Sequence, residues 1–169
     1  AKFEEEALAE LNLKPSPIST QIVEAEFFVD YLSSITSAFG VLANLADDMR
    51  HLQRSEIAEV GEAFEAKQVG SSTMPQKRNP INFENVKSMW KEFMPRIVTI
   101  YMDQISEHQR DLTNSASMRF IPEILAGFYA SSVRLNRIMP NLIVDKANMR
   151  KNFEMSKGMI VAEPLYILL

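Results

Sequence analysis

The sequence predicts an all-α chain of long helices, and three observations carry that expectation. Apolar residues recur at alternating steps of four and three along three separate stretches, the spacing of one helix face. No stretch has the period-two alternation of a half-buried strand. Two polar or irregular stretches, at 61–80 and about 107–114, divide the periodic ones as interhelix connections do.

From Phe28 the apolar positions run through Leu32, Ile35, Phe39, Leu42, Ala46 and Met49, which reads as one helix over about 18–50. Val29, Val41 and Leu45 flank this seam, with the polar Thr36 and Asn44 among them. A buried surface wider than one stripe predicts packing on several neighbours. From Phe83 the pattern continues through Val86, Trp90, Phe93, Ile97 and Ile100, giving a second helix at about 81–107. From Ile121 it passes Ile124, Phe128, Ser131, Leu135 and Ile138, giving a third at about 115–139. Pro140 ends that helix by withholding a backbone donor. Met and aromatic residues in these stripes read as bundle core, not as cofactor contacts. There is no internal repeat and no low-complexity tract.

At 169 residues the chain has the size of one domain, and 46% hydrophobic with 24% charged residues is ordinary for a soluble folded protein. A net charge of -4 supplies no general field for nucleic acid or an acidic membrane surface, while leaving room for a local cationic pocket. With no Cys and only His51 and His108, disulfides, thiolate chemistry and a structural zinc site are not expected. No uninterrupted run of roughly 18 apolar residues is present, and the opening AKFEEEALAELNL is acidic where a secretory signal is basic. The expected compartment is the cytoplasm. The opening without Met and the apolar ending AEPLYILL both read as cut from a longer chain.

The chemistry concentrates in the loop Gly70-Ser71-Ser72-Thr73-Met74-Pro75-Gln76-Lys77-Arg78-Asn79-Pro80. Gly70 permits unusual backbone angles and two prolines limit the conformers, so Lys77 and Asn79 are displayed from a partly rigid lid. Lys77 offers a cation, Asn79 an amide, and Ser71 and Ser72 hydroxyls able to handle protons. Such a set suits an anionic substrate and a carbanion beside a carboxylate, whose developing charge is stabilised by preorganised donors. Taken as an arbitrary polar loop, the same residues are a Gly/Ser/Pro connection with a solvated Lys.

The literal pattern Gly70-Ser71-Ser72-x-Met74-Pro75-x-Lys77-x-Asn79-Pro80 resembles the signature loop of the fumarase, aspartase, argininosuccinate lyase and adenylosuccinate lyase superfamily, at all eight fixed positions. The resemblance implies a long-helix bundle. Residues 1–107 would be part of the central helical domain with the loop at 61–80. Residues 108–169 would be the remainder of the bundle and the beginning of a C-terminal helical domain. It implies that Ser71 is the general base, with Ser72 as the alternative. Lys77 and Asn79 hold a dicarboxylate, with Met74 near the site.

The stretch Arg110-Asp111-Leu112-Thr113-Asn114-Ser115-Ala116-Ser117-Met118-Arg119 resembles the adenylosuccinate lyase branch, in which Arg110, Ser115 and Arg119 match a nucleotide-phosphate cup. Guanidiniums grip phosphate by bidentate charge-assisted bonds, and Ser115 also reads as a cap of the following helix. Gln21 matches a substrate-contacting Gln. The Arg that follows it in many relatives is absent from Ile22-Val23-Glu24-Ala25-Glu26, and Asn85 stands where some relatives have Arg.

The branch implies β-elimination of fumarate from adenylosuccinate, giving AMP, and from the succinylaminoimidazole carboxamide ribotide of purine synthesis. It implies no cofactor and no metal. The partners expected are a small-molecule succinylated purine nucleotide and further copies of the chain in a homotetramer, with sites assembled from three subunits, and neither nucleic acid nor membrane. The family's general-acid His is missing: His51 and His108 both read as helix-end residues, so this length of chain alone is expected to be inactive. The rival readings are another superfamily lyase or cycloisomerase (argininosuccinate lyase, carboxymuconate cycloisomerase) and a non-catalytic helical oligomerisation module.

Overall fold

A computed structural model describes residues 2–18, 22–64, 74, 77–105, 107 and 112–168. The helices are α1 (Lys2–Ala9), α2 (Glu26–Leu52), α3 (Ile81–Phe93), α4 (Ile97–Met102), α5 (Ile121–Ile138), α6 (Lys146–Met155) and α7 (Ala162–Leu168). The fold is the all-α bundle expected, with α2, α3 and α5 at its centre and α4 packed on α2.

Each seam supplies the residues that fill this core. Leu32, Phe39 and Ala46 of α2, Phe83, Val86 and Phe93 of α3, Ile100 of α4, and Ile124 and Leu135 of α5 are buried. Leu42 joins two apolar clusters, one around Phe39, Phe93 and Ile124 and the other around Ala46, Phe83 and Leu135. Phe39 meets Phe128 edge-on at 5.7 Å between ring centroids, a favoured aromatic geometry. The α2 surface is wider than one stripe, since Val29 and Ala43 are buried beside the seam. Val41 and Phe28, by contrast, are exposed. Gly127 allows α5 to approach α3 closely: a Cβ there would stand 2.5 Å from Phe93 Cε2.

Three differences from the periodic reading have local causes. The first helix begins at Glu26 rather than near 18, after the β-branched pair Ile22-Val23, which favours extended backbone. The second is broken at Pro95, which has no N–H to donate: α3 stops at Phe93, a 3-10 turn spans Met94–Arg96, and α4 ends at Met102. The third begins at Ile121, with Pro122 in its first turn and a 3-10 turn at Ser117–Phe120 ahead of it, so Ser115 caps no helix. Pro140 does end it, in the turn Met139–Asn141.

A two-residue ladder, absent from the sequence reading, pairs β1 (Val60–Gly61) antiparallel with β2 (Ile143–Val144). It draws α6 against the segment after α2, where Asn148 Nδ2 donates to the Ala58 carbonyl at 3.2 Å and Asn152 Nδ2 to that of Ile57 at 2.9 Å.

By length and composition α2 is long and apolar enough to cross a membrane, with a hydropathy of 1.2 over its most apolar window. Asp30, Thr36, Asn44, Asp47 and Asp48 are polar positions along the helix, and it packs against α3, α4 and α5.

Asp47 ties α2 to α3, with Lys87 Nζ 2.7 Å from Oδ1 and Arg50 pairing with the same oxygen. The Lys87 hydrogen bond, reinforced by Arg50 against the opposing effect of desolvation, holds the Asp47 carboxyl below its ordinary value of 3.8. A depressed carboxyl stabilises the fold above its unfolded value and loses that contribution as the pH falls through the folded one. Asp47→Asn is therefore expected to cost about 1 kcal/mol at neutral pH. Denaturation midpoints at about pH 7 and about pH 3 check it, the gap between the two proteins closing at the lower value.

Candidate functional site

Of the loop at 70–80, the structure describes Met74 and residues 77–80. Ser71 and Ser72 lie outside the described residues, as do Gln21, Arg110 and His108. Of the rest, Lys77 donates its backbone N–H to the Met74 carbonyl at 2.9 Å, and Ile81 donates to the Asn79 carbonyl at 2.9 Å as α3 begins. Pro80 sits at the N-cap and provides no side-chain cap.

Glu62 supplies the missing cap from across the loop. Its buried carboxylate accepts from the N–H groups of Asn82 and Phe83 at 3.0 Å each, and from Asn82 Nδ2 at 2.7 Å. An anion belongs there, because the first N–H groups of a helix have no intrahelical partner. Glu62 in turn donates its N–H to Gln53 Oε1 at 3.0 Å, Gln53 Nε2 donates to the Arg78 carbonyl at 3.3 Å, and Arg134 Nη1 donates to Asn82 Oδ1 at 2.8 Å. The end of α2, the start of α3 and the last turns of α5 thus hold the C-terminal stem of the loop. Glu62→Ala leaves three donors without their acceptor, so a loss of about 3 kcal/mol is expected in urea denaturation, with the slope unchanged.

Met74, Lys77 and Asn79 line one cavity of about 890 Å³, together with Arg50, Gln53 and Glu84. Lys77 is exposed there, so its ammonium is available to an anion. Glu84 is a carboxylate that the sequence reading passed over. Its only signal was a position one turn into α3, where nothing marks it as facing the loop.

Ser115 and Arg119 line a different cavity, of about 550 Å³, between the chain ahead of α2 and the turn before α5. Its other walls are largely apolar, with Phe28, Leu32, Ile100 and Met118 among them. Arg119 Nε donates to the Ser115 carbonyl at 3.2 Å, so the guanidinium and the hydroxyl share one turn. Asp103, buried at the end of α4, also lines this cavity and escaped the sequence reading. His51 lies at the end of α2 with Nε2 3.8 Å from Asp47 Oδ2, the helix-end placement expected of it. No group of three or more His, Asp or Glu able to hold a metal is present among the described residues.

The two cavities have no lining residue in common. Met74, Lys77 and Asn79 are brought together, and so are Ser115 and Arg119, but the two sets do not meet within one chain.

A family model described as Lyase matches residues 1–94. The chain belongs to this lyase family. Among curated relatives, this lyase-family chain is 36% identical to the adenylosuccinate lyase of Archaeoglobus fulgidus over 98% of its length, 37% identical to that of Aquifex aeolicus over 99%, and 34% identical to that of Bacillus subtilis over 94%. It spans only 38%, 39% and 37% of those relatives. The solved 3-carboxy-cis,cis-muconate lactonizing enzyme from Pseudomonas putida superposes with a TM-score of 0.76 at 28% identity, over 97% of this chain and 37% of that one. A fumarate lyase:delta crystallin from Brucella melitensis, 21% identical with a TM-score of 0.70 over 87% of this chain and 34% of its own, shares the fold.

Proposed function

We propose that the full-length gene product is an adenylosuccinate lyase, eliminating fumarate from adenylosuccinate to give AMP and from the succinylaminoimidazole carboxamide ribotide. The observation that carries this is the second cavity wall: a guanidinium and a hydroxyl on one turn, facing apolar residues, suit a phosphate joined to a flat base. Fumarate alone offers no such group. The 34–37% identity to adenylosuccinate lyases across almost the whole chain supports the same branch.

Ser71, or Ser72 as the alternative, takes the proton from the carbon beside a succinyl carboxylate. The carbanion then expels the purine nitrogen. Lys77 and Asn79 hold the succinyl carboxylates, where an ammonium also favours an ionised serine. Met74 lines the same cavity, and Gln21 is a further substrate contact. Arg110, Ser115 and Arg119 hold the phosphate. A general acid from outside these 169 residues protonates the leaving nitrogen.

Because Met74, Lys77 and Asn79 line one cavity of the chain and Ser115 and Arg119 another, a complete site takes residues from more than one copy, consistent with a homotetramer. Exposed Phe27, Tyr31 and Val41 give α2 an apolar surface for those neighbours. The compartment inferred is the cytoplasm. Incubating the full-length gene product with adenylosuccinate tests the reading: fumarate and AMP accumulate in equal amounts. Intact substrate after prolonged incubation excludes it.

A further inference from the structure

Asp103 stands out among the side chains that the function has not absorbed. It is 7% exposed, and Oδ2 is one of two buried side-chain polar atoms among the described residues with no hydrogen-bond partner, the other being Trp90 Nε1. A carboxylate oxygen stripped of water and left unpaired is costly, so its presence calls for a reason. The other oxygen supplies one. Oδ1 accepts from Ser117 Oγ at 2.6 Å, and the Asp103 backbone carbonyl accepts from Asn114 Nδ2 at 2.9 Å. Asn114 and Ser117 bracket Ser115, and Arg119 follows two residues later, its Nε bound to the Ser115 carbonyl. One residue at the end of α4 therefore pins both sides of the turn that presents the hydroxyl and the guanidinium.

We propose that Asp103 is a positioning residue for phosphate recognition, holding the turn at 114–119 so that Ser115 and Arg119 face the cavity together; this rests on the nucleotide reading above. The short bond to Ser117 is charge-assisted, which a neutral acceptor matches only in part. Ser115 and Arg119 are both exposed, so neither is fixed by its own burial. Asp103 acts through Asn114 and Ser117 and does not itself touch the phosphate.

The test compares the succinylated nucleotide with its dephosphorylated nucleoside in the full-length gene product. In the wild type the phosphate lowers KM strongly. Asp103→Ala is expected to shrink that advantage about tenfold, the loss expected of one charge-assisted hydrogen bond, while kcat changes little. Asp103→Asn, which keeps an oxygen for Ser117, restores most of the advantage. Ser117→Ala removes the other end of the same bond and carries the test if Asp103→Ala does not fold. An unchanged phosphate advantage in the folded variants overturns the inference, as does an equal loss on both substrates. A wild type that turns over neither substrate overturns the parent reading instead, so the two failures are distinct.

Discussion

Ser71→Ala in the full-length gene product lowers turnover by about a hundredfold to ten-thousandfold, the range that a positioned general base contributes. The loss falls on kcat, because the hydroxyl is asked to act on the proton and not to hold the ligand. Binding of AMP, measured by titration calorimetry, stays near the wild-type value. Ser72→Ala is the internal control and loses far less. If instead Ser71→Ala turns over normally while Ser72→Ala is silent, the base is the second serine; if both are near normal, the loop does not supply it.

Lys77→Met is expected to cost about a hundredfold to a thousandfold in kcat/KM, the scale seen when one preorganised donor is removed from a developing negative charge. The ammonium is exposed in the cavity where the proposed reaction places the succinyl carboxylates. Two ligands separate this effect from a general loosening of the loop. Inhibition by fumarate weakens sharply, whereas inhibition by AMP, which the proposal assigns to Arg119 and Ser115 in the other cavity, is retained. Equal weakening of both inhibitors contradicts the assignment. Lys77→Arg recovers only part of the rate, since a planar fork does not occupy the place of a compact ammonium.

Much of the bundle was legible because helix periodicity is a local property. Phe39 and Ala46, Phe83 and Phe93, and Ile124 and Leu135 announce their burial by spacing alone, and each is in the core. Pro95 was equally visible, yet the apolar count runs unbroken from Phe93 to Ile97, since a single 3-10 turn keeps the seam nearly in register while breaking the helix. The pairing of Val60 with Val144 is too short to carry a period.

The site divides in the same way. Met74, Lys77 and Asn79 were read from one contiguous motif, and they share a cavity. Glu62 and Asp103 were not read, because each acts on a segment 11 to 21 residues away through the bends of the chain. A lone carboxylate has no spacing to betray it. That Lys77 and Arg119 fall in different cavities was also beyond sequence, being a matter of where helices end in space.

The close approach at Gly127 makes α5 a strut rather than a loosely packed rod. It is clamped to α3 at mid-length, with Arg119 just ahead of its start and Arg134 gripping the loop stem near its end. Helical rise places those two arginines about 23 Å apart along the axis. Helix pitch, then, is the ruler that sets the separation of the cationic turn from the start of α3, and deleting one residue from the strut would swing one end about 100° relative to the other.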